Sequence, residues 1–289
     1  MVIQLIARNF NCFASEVENP TGLKCMLSEE DWDHLLEVLP TDMPLQLSVY
    51  IPDSYYWKRA CRQRWKKSIC ELNDGSWKQF YMERSCQEVI ECLRPSQMKR
   101  FHASSYGDTW DKYVKKLIID QLIVEYIPGS KQCEHQSGSE EEEEDDNKCG
   151  EFGFINLGII LGHLKNMEEL HIRYGAKNCG LDFEWVKFHV RKEDMNYLAE
   201  TIPHIRNLRI LKIHHSSITD DVCYNLWSTL LSYKPLEEIH LLYCAVGDKT
   251  AVQIANKLSS ESFNNLTQLD LTDNQIGELS WYPTSFHLR

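Results

Sequence analysis

The sequence lacks an apolar run long enough to cross a bilayer. Its longest, "FGFINLGIILG" at 152–162, is interrupted by Asn156 and three glycines and falls short of the about 20 residues that a spanning helix needs. No membrane partner is expected. Positive charge is also scarce, with 31 Lys and Arg against 43 Asp and Glu for a net charge of −12. Seven of the acids sit in one run, "EEEEEDD" at 140–146, and the rest of the chain is still mildly acidic. Such a surface repels a phosphate backbone, so no nucleic acid partner is expected. "MVIQLIARNF" has neither a basic n-region nor a sustained apolar h-region, and no secretory leader is read there. Eleven cysteines, an odd number at irregular spacing, fit reduced thiols acting as small hydrophobes in the cytoplasm better than a disulfide framework.

Catalytic signatures are missing as well. There is no H-E-x-x-H, G-x-S-x-G or Cys-x-x-Cys, and His214 and His215 are adjacent, so a strand would send them to opposite faces. The stretch "YGAKNCGLDFEW" at 174–185 matches neither phosphate-binding glycine pattern, and Cys179 alone cannot hold a metal. No catalytic residue, metal or cofactor is expected. Phe183 and Trp185 alternate as in a short strand, which suggests a packing insertion.

What the chain does contain is 289 residues, 43% of them hydrophobic, enough for one large domain or two ordinary ones. Past the acidic run a frame recurs, apolar-x-x-apolar-x-apolar: "MEELHI" (167–172), "LRILKI" (208–213), "LEEIHL" (236–241) and "LTQLDL" (266–271). The starts are 41, 28 and 30 residues apart, and the last two intervals have the length of a leucine-rich repeat that carries a helix. Cys244 and Asn274 occupy the position where such repeats place Cys or Asn to satisfy backbone groups as the strand turns away, and Ser216 does so more weakly. "DDVCYNLWSTLLSYK" and "DKTAVQIANKLSS" have helical apolar spacing, with Asp220 and Asp248 near their starts. Strand, turn, helix and return, repeated, imply a solenoid. The 174–185 stretch lengthens the first interval, between strand and helix.

Ahead of the acidic run, Trp57, Cys61 and Trp65 fall at i, i+4 and i+8, while Lys58, Arg59, Arg62, Arg64, Lys66 and Lys67 fill the rest of that helix. A tryptophan stripe of this kind is expected in a core, with Trp77, Phe80 and Tyr81 packed on it.

"YGAKNCGLDFEW" after an "EEL-x-I" strand, together with "YWKR…C…RW" and "SWK…ER" before the linker, resembles the dynein regulatory complex subunit 5 family over roughly 35–278. The resemblance implies a ribonuclease-inhibitor-like leucine-rich repeat protein of the ciliary and flagellar axoneme, part of the nexin-dynein regulatory complex that helps control motility, including that of sperm. It implies other subunits of that complex as partners and doublet microtubules as indirect ones. The 35–94 segment is also similar to the end of an F-box, for which the alternative is a leucine-rich repeat substrate receptor of a ubiquitin ligase. Three prolines within "LPTDMPLQLSVYIPD", two of them interrupting its interior, weigh against the adaptor-binding helices of that module.

The expected architecture is α/β: an α-rich N-terminal module (1–129), a disordered acidic linker (130–150), a leucine-rich repeat solenoid (151–278) and a non-repeat tail (279–289). "LSWYPTSFHLR" offers no helix after the fourth repeat, which reads as a shortened or alternatively ended chain. With Leu170, Ile172, Leu211, Ile213, Ile239, Leu241, Leu269 and Leu271 inward, period two places Glu169, His171, Arg173, Ile210, Lys212, His214, Glu238, His240, Leu242, Gln268, Asp270 and Thr272 on the concave face. His171, Lys212, His240 and Asp270 form one cross-strand row. A mixed polar row serves equally as a protein-binding surface or as a solvated face.

Overall fold

The structure is a computed structural model that describes residues 2–10, 12, 26–66, 75–128, 150–177, 184, 188–258 and 265–277. The acidic run, Cys179, Phe183, Trp185 and the 279–289 tail lie outside the described residues. The chain divides into two compact units, residues 1–86 with 106–114 and residues 87–105 with 115–289.

The first unit is helical: α1 (Val2–Arg8), α2 (Glu29–Val38), α3 (Leu45–Ser48), α4 (Tyr55–Arg64), most of α5 (Trp77–Cys92) and of α6 (Ser104–Tyr113). Helix α2 starts where the Ser28 hydroxyl accepts the Asp31 N–H, and Glu29, Glu30 and Asp31 complement the positive end of its dipole. Trp57 and Cys61 are core, as their spacing predicts, whereas α4 ends at Arg64 and Trp65 follows it, only half-buried. Trp57 and Cys61 are fully buried, and Trp57 lies 5.1 Å from the Tyr81 ring while Trp65 contacts both Tyr81 and Phe80. The basic back of α4 has work inside the unit. Arg59 donates to the Leu36 and Leu39 carbonyls, closing the C-terminus of α2. Lys78 is buried, donates to the Val49 and Ile51 carbonyls, and sits over the Trp57 and Tyr113 rings.

The second unit is mixed α/β. A five-stranded parallel sheet runs in the order β1 (Lys116–Ile119), β4 (Glu169–Ile172), β5 (Ile210–His214), β6 (Glu238–Leu242), β7 (Gln268–Asp270). Helices α8 (Lys192–Thr201), α9 (Asp220–Leu230) and α10 (Asp248–Leu258) carry the chain from each strand to the next, the connection that parallel neighbours require. Short α7 (Gly158–Leu161) precedes β4, and β2 (Glu125–Pro128) pairs antiparallel with β3 (Gly150–Gly153). Inward residues of β4 to β6 form the core, with Leu170, Ile172, Leu211, Ile213, Ile239 and Leu241 all at most 1% exposed. Leu269 of the last described strand and Leu271 just after it are only half-buried.

The sheet begins earlier than the repeat frame indicates. β1 lies before the acidic run, in the stretch assigned to the α-rich module, yet it pairs in parallel register with β4. Its stretch does fill the frame, as Val114-x-x-Leu117-x-Ile119, but it lies 53 residues before the next one and across the acidic run, where no repeat interval joins them. The acidic run also joins two strands of one ladder, since Pro128 pairs with Gly150, so its flanks belong to one unit and the boundary expected at 129 does not fall between units.

Candidate functional site

The polar face of the parallel sheet is built by strand alternation. Register brings His171 beside Lys212, Lys212 beside His240 and His240 beside Asp270, the row read from the sequence. A second row runs Lys116, Glu169, Ile210, Glu238, Gln268, and His214 faces Leu242 in a third. Lys116 joins the face through β1, so sequence reasoning missed it along with its strand.

Two charge clusters occupy the face. Glu169 receives Lys116 Nζ at 3.0 Å, His171 Nε2 at 2.6 Å and Lys212 Nζ at 3.8 Å. Burial alone would raise the pKa of Glu169, but the hydrogen bonds from Lys116 and His171 outweigh it and hold the carboxyl below its usual value. His171 is lowered mainly by burial, against the pull of Glu169. On the other side, His240 lies between Glu238 at 3.1 Å and Asp270 at 3.7 Å. His240 is 6% exposed. It is thus placed in the expected row and held among its own neighbours. Alternation fixes the face a side chain points to, and says nothing of how closely adjacent carboxylates cover it.

At the C-terminal rim of the strands, Arg173 follows β4 with its N–H bonded to the Ile119 carbonyl. Its Nε is buried without a hydrogen-bond partner. His214, next along the rim, has its pKa lowered by burial first and then by the charges of His215, His171 and Arg173, against Asp120. Beyond it, His215, Tyr243 and Asp273 adopt positive φ of 49°, 53° and 57°, and the His215 and Tyr243 rings stack at 4.6 Å. Nothing in the sequence announced this, because none of the three is glycine.

One residue later the backbone ladder appears. Ser216 Oγ accepts the Tyr174 N–H and donates to the His214 carbonyl. Cys244 Sγ donates to Leu242 O at 3.5 Å and Ile213 O at 3.8 Å. Asn274 donates to the Leu241 and Leu271 carbonyls and accepts the Val246 N–H. These are the three positions the repeat frame marks out, each tying one strand's turn to the preceding one. Asp220 and Asp248 form a second ladder: their carboxylates accept the N–H of Gly247 and Gly277, each at 2.7 Å.

The buried thiols are inert, burial pushing Cys61 up to about 12 and Cys244 to about 11. Among the described residues no group of three or more His, Cys, Asp or Glu side chains can hold a metal ion, and no helix is long and apolar enough to cross a membrane.

No protein-family model matches the chain. Curated relatives do. The protein named dynein regulatory complex subunit 5 of Mus musculus is 33% identical over 255 residues, 87% of this chain and 49% of that protein. Its namesake in Homo sapiens is 30% identical over 258 residues, covering 87% and 48%, and that of Chlamydomonas reinhardtii is 26% identical over 194 residues, covering 65% and 41%. The chain thus spans about half the length of the mouse and human relatives, or less of the algal one. The F-box similarity draws no support from these relatives.

Proposed function

The chain belongs to the dynein regulatory complex subunit 5 family along the half of those proteins that it spans, and on that premise we propose that it is a non-enzymatic scaffold subunit of that complex in the axoneme of cilia and flagella. The single observation that carries this is the similarity over 87% of the chain. Its second unit is a leucine-rich repeat solenoid, a reading supported by parallel strands separated by helices and by the Ser216, Cys244, Asn274 ladder. The polar sheet face is the protein-binding surface, with Glu169, His171, Arg173, Lys212, His214, Glu238, Leu242, Gln268 and Asp270 presented on it. Partners are other subunits of the complex, with doublet microtubules reached through them, and the consequence is regulation of dynein-driven motility, including that of sperm.

The test is fractionation. A tagged chain expressed in ciliated cells should remain with salt-washed axonemes and crosslink to other regulatory-complex subunits. Its release with the soluble fraction, bound to the adaptor and cullin of a ubiquitin ligase, would overturn the reading.

A further inference from the structure

Arg173 stands apart from the other cations of the sheet face. Lys116 and Lys212 are engaged with Glu169, and Lys177 is engaged with Asp120 at 2.8 Å. Among the described residues neither an ion pair nor a side-chain hydrogen bond reaches the Arg173 guanidinium, although its Nε is shut off from water. The Nε is closed to a ligand as well, but the two terminal nitrogens are not among the buried atoms, and that end of a guanidinium fork is shaped for a carboxylate. The two acids nearby already have cations, so the missing anion is not supplied by the face itself.

The surroundings narrow the ligand. His214 continues the register beside Arg173 and faces Leu242, and the stacked His215 and Tyr243 rings rise at the same rim, Tyr243 being 54% exposed. A cationic point therefore adjoins an apolar shelf. One guanidinium balances one carboxylate, whereas a doubly charged phosphate is disfavoured by the chain's net charge of −12.

We propose that the rim formed by Arg173, His214, Leu242 and Tyr243 binds an acidic peptide segment of a partner protein, with a Glu or Asp carboxylate on the Arg173 fork and a neighbouring apolar side chain on Leu242 and Tyr243. This rests on the reading of the sheet face as a contact surface. The probe is a fluorescein-labelled ten-residue peptide of alternating Glu and Leu, titrated into the full chain by anisotropy, with a Gln and Leu peptide as control. The Glu peptide should bind at least about tenfold more tightly than the Gln peptide, and Arg173→Gln should remove that preference. Arg173→Lys, which keeps charge and loses the fork, should bind between the two, and it covers the case in which the Gln variant does not fold. Arg209→Gln, which breaks the Arg209–Glu237 pair on the edge of the unit, should leave binding unchanged. Equal affinity for the two peptides, undiminished binding by both Arg173 variants, or equal binding of a ten-nucleotide single-stranded DNA would overturn the proposal. Axoneme retention separates the two ideas: if Arg173→Gln is retained and crosslinked as fully as the unsubstituted chain, the rim site fails and the subunit assignment stands. If the unsubstituted chain is not retained, the assignment itself fails.

Discussion

His214 and Trp57 illustrate two kinds of residue-scale knowledge. His214 has its imidazole lowered by burial and by the adjacent charges of His215, His171 and Arg173. A histidine whose folded pKa lies below 6.5 contributes stability that is present above that value and is lost as the pH falls through the folded value. His171 shares the sign. Proton NMR titration should therefore place His214 below 6.5, Arg173→Gln should move it upward, and the melting temperature should drop between about pH 7 and pH 5. A titration at or above the free imidazole value would contradict the packing described. Trp57 is the opposite case, legible from spacing alone. It has no exposed surface, and its indole N–H reaches the Ile51 and Pro52 carbonyls. Trp57→Ala should cost about 3–5 kcal/mol in chemical denaturation. Two residues at helical spacing, Trp57 and Cys61, suffice to identify a core face, whereas the pKa of a rim histidine depends on charges from three segments that only the fold brings together.

At the scale of elements, each repeat is fastened to the next at two levels. The Ser216, Cys244 and Asn274 positions hold the strand turns, and the sequence frame reveals them because residue type and spacing coincide. The aspartates were legible only as helix starts. In the structure Asp220 reaches across to the following repeat, accepting Gly247 N–H at 2.7 Å and, at longer range, the N–H groups of Lys249 and Thr250 at 3.3 and 3.4 Å. A Cβ on Gly247 would lie 2.8 Å from the Asp220 carboxylate, so glycine keeps the approach open. Burial opposes ionisation of Asp220, but hydrogen bonds from Thr250, Gly247 and Lys249 overcome it and hold its pKa low. Asp220→Ala should destabilise the unit by about 1–2 kcal/mol, the loss typical of a removed helix cap. Gly247→Ala should act in the same direction through the displaced carboxylate. Thermal melts of both variants decide it, and unchanged stability in Asp220→Ala would show that water replaces the carboxylate without loss. β1 was not recognised although Val114, Leu117 and Ile119 fill the same frame, because its partner lies 53 positions further on, beyond the acidic run and far outside the 28- to 30-residue interval.

For the whole molecule, composition suggested that the acidic run separates two domains, while pairing shows that chain order and sheet order differ. Residues before the run, in β1 and β2, pair with residues after it, in β4 and β3. The backbone connection at 129–149 is therefore a covalent convenience for the second unit: two ladders already hold both sides together. A site-specific protease sequence placed within 130–149 and cut should leave the fragments copurifying through gel filtration at micromolar concentration, with a stability that now depends on protein concentration because their association has become bimolecular. Separation of the pieces without denaturant would refute the β1–β4 pairing. The same geometry makes the chain a natural split protein: residues up to 128 and from 150 onward, synthesised as two polypeptides, should find each other by strand complementation and rebuild the sheet from both.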